Sequence, residues 1–533
     1  MTINRRQFVQ SSLMAGAGLM LYPFKSYSNP RADSLFGVHP FIIQNPDAVF
    51  VMSTNVNMKT NSTAIKGAGL DFGRSVFGLT DDKANGVPLT HKVVIKPNLT
   101  CRQRGSNSYT ILRSMGIVTD AYFVEGIVES LKELGIAAGQ FYIREVNCPE
   151  DLADGGYPSM AARTGIDLQG IDTPVWNLSP DQVQWVEVPD GVWFRRIPYL
   201  WPVNAPDTFL LNISKFKTHG MGLTLCAKNL QGTIAMNYQA HCTSYGDSMY
   251  GVDTADLNPT ANADIFANYN RHKADGIPRW DRPGKTGGIW QETWATRCLD
   301  NNSVTFAGLH IIEGIYGRDG NFMNGPDSQG LATDYMTNYI IFGRNQFHVD
   351  NIGHYLAGHE PGNFGLFHMA KECGMASTIN PVEIPVYNWD AETGASLAEL
   401  ADFQRYSLKT YYLQRDYDGQ TEPYWHMVDE AYNYGATGIQ DLPKKANDFS
   451  MHQNYPNPVQ NTTSIDFNIP RKGNVSIEII NDKGQVMDVL VDKQLNYGSH
   501  TITWNGSNYP SGLYICRMRF GGSVATQKLM VLH

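Results

Sequence analysis

Apolar runs that stop abruptly at charged residues set the pattern of the central chain. Thr208-Phe209-Leu210-Leu211 leads into residues 212–232, a segment holding three lysines and a histidine. Residues 91–95 run into Lys96-Pro97-Asn98, 141–143 into Arg144-Glu145, 304–312 into Glu313-Gly314, and 339–342 into Gly343-Arg344. Such continuous runs read as strands covered on both faces, and the stretch 121–134, apolar at Phe123, Ile127, Val128 and Leu131, reads as a helix beside them. Beyond the polar connector at 444–448 the period changes. Runs at 464–469, 475–480, 486–491, 500–504, 513–520 and 526–532 alternate apolar and polar residues between Gly, Asn, Asp and Pro turns. The predicted fold is therefore α/β, a largely parallel sheet flanked by helices, followed by a small C-terminal antiparallel β-sandwich of about 80 residues.

Composition limits what such a chain does. With 533 residues, 42% hydrophobic and 17% charged, it has enough apolar surface for more than one core. A net charge of -9, without any long basic tract, argues against nucleic acid as a partner, because that binding needs clustered cations. The seven cysteines form no C-x-x-C pair, so no iron–sulfur or zinc motif is written locally. At the N-terminus, Asn4-Arg5-Arg6-Gln7-Phe8 precedes a mildly apolar run over 11–22 that is too short to span a bilayer comfortably. This segment, residues 1–29, resembles a twin-arginine signal, which implies handling by the twin-arginine translocase and export of a folded chain, often with its cofactor installed. No transmembrane span is expected.

If the parallel strands are neighbours, their polar ends meet on one edge, where ligands of open α/β sheets bind. Lys215, Lys217 and His219 are two apart, so an extended chain projects all three from one face. That row suits an oxyanion or carboxylate, with the lysines as point charges and the histidine as acid, base or metal ligand; the competing reading is an ion network with nearby acids. A second group, His348, Asp350, His354, His359 and Glu360, holds donors that zinc, iron or manganese accept, yet it matches no fixed metal motif. Asp350 and His354 are four apart, a spacing that also makes an ordinary helix pair. Gly220-Met221-Gly222 lacks the third glycine of a dinucleotide fingerprint, and no nucleophile elbow or P-loop is present. Residues 240–294, rich in Asn, Tyr, Gly and Trp, read as a long loop, either a lid over the site or a solvent-facing insertion.

Two family resemblances organise these readings. The segments V-I-K-P-N-L, L-K-E-L-G, L-N-I-S-K-F-K-T-H-G-M-G-L-T-L-C-A-K-N-L-Q-G, I-I-E-G-I-Y-G-R-D-G and F-H-V-D-N-I-G-H-Y-L-A-G-H-E-P resemble the domain of unknown function 362 family over roughly residues 90 to 377, within a central domain placed at 38–440. The resemblance implies a polar signature at Lys96, Asn98, Lys215, Lys217, His219, Lys228, Asn229, Glu313 and Asp350. In the expected scheme Lys96, Asn98, Lys215, Lys228 and Asn229 bind the ligand, His219, Lys217 and Glu313 carry catalysis, and Asp350 with His219 are the metal candidates. Many relatives carry cysteine runs for iron–sulfur clusters, and this chain does not. After a linker at 441–452, the segments N-Y-P-N-P, I-D-F-N-I-P, I-I-N-D-K-G-Q-V, W-N-G, Y-P-S-G-L-Y-I-C-R-M and Q-K-L-M-V-L-H resemble the C-terminal sorting domain of type IX secretion over 453–533. That resemblance implies the type IX outer-membrane machinery as partner and a secreted or surface-attached product. The expectation is an exported enzyme for a polar or anionic small molecule, with a metal or redox cofactor permitted. The alternative is a non-catalytic surface protein that captures an anionic ligand.

Overall fold

The computed structural model describes residues 34–99, 115–146, 149–219, 222–223, 225–239, 252–278, 280–281, 289–320, 325–411, 414–415, 425–426, 428–434, 449–451, 454, 457, 459–469, 473–481, 485–495, 498–520 and 523–532. The expected signal at 1–29 lies outside them, as does most of the linker at 441–452. The chain divides into two compact units, the first ending at Tyr434 and the second beginning at Gly435, with Lys371–Gly374 grouped with the second.

The first unit is built on a ten-stranded sheet. Its path contains β1 (Val49–Ser53), β2 (Lys92–Pro97), β3 (Phe141–Glu145), β4 (Asp167–Gly170), β5 (Thr208–His219), β6 (Leu309–Arg318), β7 (Asp334–Gly343), β8 (Val386–Asp390) and β9 (Gly394–Ala398). They lie in the order 9-8-1-7-6-5-2-3-4, and the short strand Gly222–Leu223 folds back on the end of β5. Strands β6, β5, β2, β3 and β4 are mutually parallel, and only β7 and β9 of the path run against the rest.

Both faces are covered, which is why the central strands need continuous apolar runs. On one face lie α1 (Ser62–Val76) and α2 (Ala121–Glu133), whose Ile65, Phe72, Phe123, Ile127 and Leu131 share a core with Val93, Ile95, Leu211 and Ile213. Gly126 lets these helices touch, since a Cβ there would stand 2.3 Å from the Lys66 carbonyl oxygen. The other face carries α3 (Cys226–Asn229), α4 (Ala261–Ala274), α5 (Ile289–Val304) and α6 (Gln346–Leu356). There Val94 and Leu210 pack with Tyr199, Leu230 and Ile234, while Ile312 packs with Leu225, Val349 and Ile352.

The helix expected at 121–134 is present as Ala121–Glu133, and the apolar runs 91–95 and 141–143 fall in the strands Lys92–Pro97 and Phe141–Glu145. Three expectations change. Val304 closes helix α5, and the strand begins only at Leu309. Strand β7 is antiparallel to β6, so its end at Gly343 points away from the edge formed by β2, β3, β5 and β6; an apolar run does not encode strand direction. Within 240–294 the described residues include the fourteen-residue helix α4 and the start of α5 rather than a plain loop.

The second unit is antiparallel. Strands β10 (Ser450–Met451), β11 (Thr462–Ile469) and β14 (Gly498–Asn505) make one sheet; β12 (Gly473–Ile480), β13 (Val486–Leu495), β15 (Gly512–Phe520) and β16 (Ser523–Val531) make another, in the order 13-12-15-16. Ile465 and Phe467 of the first sheet share one apolar cluster with Ile477, Ile479, Cys516 and Met518 of the second. Each of the six predicted C-terminal runs is a strand within three residues at its start.

Candidate functional site

Connections decide where this sheet opens. From β2 the chain steps outward through β3 to β4, then returns to lay β5 on the other side of β2 and continues outward to β6. The neighbours β2 and β5 therefore send their next elements in opposite directions, and a crevice forms beyond their carboxyl ends. Asn98 follows β2 at that edge, and α3, carrying Lys228 and Asn229, follows β5.

Parallel register sorts the candidate residues between two faces. Lys96 is opposite Asn212, and both side chains point toward α3. Lys96 Nζ bonds Glu145 and lies 3.4 Å from Asn229 Oδ1. Asn229 Nδ2 donates to the Lys96 carbonyl at 2.9 Å and to Asn212 Oδ1 at 2.8 Å, so it stitches β2 to β5. Asn212 Nδ2 in turn donates to the Cys226 carbonyl at 2.9 Å and stands 3.0 Å from His310 Nδ1. Gly232 is required here, because a Cβ would fall 2.1 Å from Glu145 Oε1 and 2.5 Å from Lys96 Cε. Burial pulls the Lys96 ammonium below the ordinary lysine range, an effect opposed by Glu145 and reinforced by the charge of Lys228.

Lys215 and Glu313 sit on the opposite face, toward α2. They are cross-strand partners with Nζ 2.9 and 2.7 Å from the two carboxylate oxygens, and both are fully buried. Lys215 Nζ also lies 3.5 Å from the centre of the Tyr316 ring. Glu313 accepts from the Asp120 backbone amide at 3.1 Å, and Tyr316 donates its hydroxyl to Asp120 Oδ2 at 2.7 Å. Desolvation pushes Lys215 down and Glu313 up, and it raises the Tyr157 and Tyr316 hydroxyls well above the usual tyrosine range. The single converging edge expected from sequence is thus divided by the sheet: Lys96, Lys228 and Asn229 are on one side, Lys215 and Glu313 on the other. The physical reason is the two-residue period of a strand, which puts residue 212 and residue 215 on opposite faces.

Lys217 and His219 continue β5 toward the crevice, 2% and 8% exposed, after an irregularity of register between Lys215 and Lys217. Asn98 is 4% exposed, and among the described residues its Oδ1 has no hydrogen-bond partner.

The expected metal group is spent differently. Asp350, on α6, accepts from the backbone amides of Cys226 at 2.7 Å and Ala227 at 2.8 Å, and so fastens the start of α3. Burial pushes its carboxyl up to about 7 against those two bonds. His354 Nε2 meets the Leu223 carbonyl at 3.2 Å, His359 Nε2 the Leu408 carbonyl at 2.7 Å, and His348 Nδ1 the Asp47 carbonyl at 2.8 Å. Glu360 contacts Arg405 and the Tyr434 hydroxyl. Among the described residues no three His, Cys, Asp or Glu side chains gather as a metal donor set, and both oxygens of Asp350 are engaged by backbone amides.

Sequence reasoning passed over Asp120, Glu145, Asn212, His310 and Tyr316 as site residues. Glu145 was visible as a strand end and Asp120 as the cap before a helix, but their partners are 49 and 193 residues away along the chain.

Comparison with known proteins adds two domain assignments. Residues 93–354 match the model of a domain of unknown function, DUF362, and residues 453–532 match the secretion system C-terminal sorting domain. The first covers the strands β2 to β7 and the crevice; the second supports a secreted or surface-attached protein handled by the type IX machinery. No curated protein matches the chain. Among solved structures, dimeric latent PorU from Porphyromonas gingivalis is 20% identical over 15% of this chain and 9% of that one, at a TM-score of 0.13. The endo-beta-1,4-mannanase from Thermotoga petrophila is 12% identical over 92% of this chain and 99% of that one, at a TM-score of 0.14. Neither likeness is close enough to carry an argument. Among the described residues no helix is long and apolar enough to cross a membrane.

Proposed function

We propose that this protein is an exported enzyme that works on a small polar or anionic molecule in the crevice between β2 and β5. It leaves the cytoplasm through the Arg5-Arg6 signal as a twin-arginine substrate, and its C-terminal sheets pack as the sorting sandwich. The observation that carries the reading is the coincidence of the topological switch point with Asn98, Lys217, His219, Lys228 and Asn229. In this scheme Lys228 holds negative charge, Asn98 orients the ligand, Asn229 fixes the β2–β5 edge on which it sits, and His219 and Lys217 move protons at the reacting group. Lys96, Lys215 and Glu313 serve the scaffold, since each is tied into a buried network.

The alternative class is a surface protein that captures an anion without turning it over. Incubating the mature protein with a panel of hydroxy acids, sugar phosphates and amino acids, with His219→Ala and Lys217→Ala in parallel, separates the two. For an enzyme, consumption of one substrate should fall by on the order of 100-fold or more in His219→Ala while ligand-dependent thermal protection persists. Protection without turnover in the wild type would transfer the reading to capture, and protection by no compound would sink the crevice as a site.

A further inference from the structure

We infer that the cavity beside Asp120 receives the ammonium head of a small primary amine, held by the Asp120 carboxylate and the Tyr316 hydroxyl. It stands apart from the crevice reading, on the face of Lys215 and Glu313, across the sheet from Lys96 and Lys228.

The cavity, about 10 Å³, has room for roughly one water-sized group between the start of α2 and the end of β6. Met115, Val118 and Ala121 line it with apolar surface and Tyr122 and Tyr316 with rings, and among the described residues Asp120 is the one charge in its wall. Asp120 is 5% exposed. Its Oδ1 accepts from the Tyr122 amide at 2.8 Å and its Oδ2 from the Tyr316 hydroxyl at 2.7 Å, both neutral donors.

Formal charge leaves this carboxylate unmatched. Lys215 is near enough to feel it, yet both hydrogen bonds of the Lys215 ammonium go to Glu313, at 2.9 and 2.7 Å. Arg318 and Lys59 are committed to Asp334. Asp120 and Glu313 thus set two negative charges against the one positive charge of Lys215, and among the described residues Asp120 forms no salt bridge of its own. The surroundings register the excess: after desolvation, the charges of Asp120 and then Glu313 push up the Tyr157 and Tyr316 hydroxyls. The amino end of α2 offsets part of it, as at any acidic cap, and fills one acceptor position. A carboxylate offers about four such positions, of which two are taken, and the phenol that donates to it still accepts. Two carboxylate oxygens and one phenol oxygen match in number the three N–H donors of a primary ammonium, whose carbon is left for the apolar surface of Met115 and Val118.

Calorimetric titration of the full mature protein with methylammonium, ammonium and tetramethylammonium chloride, at constant ionic strength, tests this alongside Asp120→Asn and Tyr316→Phe. Asparagine caps a helix as aspartate does, so Asp120→Asn removes the charge and keeps the start of α2. Saturable binding of methylammonium is expected, weaker for ammonium, which lacks the methyl group, and absent for tetramethylammonium, which has no N–H and is too large. Asp120→Asn should weaken methylammonium by on the order of 10-fold or more, and Tyr316→Phe, which keeps the ring, by about 3- to 10-fold. Should Asp120→Asn fail to fold, judged by far-ultraviolet circular dichroism, Tyr316→Phe decides alone. Methylammonium binding that both substitutions leave intact would overturn the inference, as would equal binding of tetramethylammonium. Tighter binding of ammonium would assign the cavity to the free ion, and no saturable binding of any of the three would leave it to water; either result overturns the amine.

Discussion

Three lysines of similar sequence context end in three different electrostatic states, and burial alone does not distinguish them. Lys96 is matched by Glu145, Lys215 by Glu313, and Lys228 by no acid among the described residues. Which lysine keeps a spare charge depends on acids 49 and 98 residues away, which no local pattern announces. His310 gives the sharpest test at this scale. Burial, with Arg344 nearby, depresses its imidazole to about 3, and Nδ1 stands against the Asn212 amide nitrogen, an arrangement that suits a neutral ring accepting a hydrogen bond. The unfolded chain protonates this histidine near 6.5 while the fold holds it neutral, so its contribution to stability is complete above 6.5 and is lost as pH falls toward 3. In urea titrations at successive pH values, His310→Asn should flatten the loss of stability between pH 6 and 4 by about 1.4 kcal/mol per pH unit, whatever fixed cost it adds.

Among elements, α3 is the least self-sufficient. Four residues do not sustain a helix, and its place is set by Asp350 of α6, which takes the Cys226 and Ala227 amides, and by Asn229, which bridges β2 and β5. Asp350 was legible as a charged residue at helix spacing from His354, but its partners lie 124 and 123 residues earlier, so its role as an anchor was not. Asp350→Ala leaves two buried amides without acceptors and should cost about 2 to 4 kcal/mol by chemical denaturation, with Asp350→Asn, which retains one acceptor, losing less. Helix α2 shows the opposite case. Its apolar spacing at Phe123, Ile127 and Leu131 predicted both its extent and its buried face, and Asp120 caps it by accepting from the Tyr122 amide at 2.8 Å.

At the scale of the molecule, the two compact units have different tasks. The unit from Gly435 onward contains the sorting domain and has its own apolar cluster, so the first unit does not need it as core. Deleting residues 453–533 should therefore leave an α/β unit with unchanged far-ultraviolet signature for its helices, while the protein disappears from the medium and cell surface and accumulates within the envelope. Fractionation with an antibody to the first unit reads this directly, and surface display of the truncated chain would contradict the sorting role. The sequence by itself determined the strands and helices with unbroken periodicity and the change from parallel α/β to short antiparallel strands, because each is written within about ten to twenty contiguous residues, and the sorting domain, because its short segments recur in order over 453–532. Strand order, the direction of β7, the switch point between β2 and β5, and the division of the lysines between two faces were decided only by tertiary structure. These depend on pairings between distant segments, such as Val49 with Val386 and Lys96 with Glu145, and on which face each strand turns to its neighbours, and a period of two or of 3.6 carries neither.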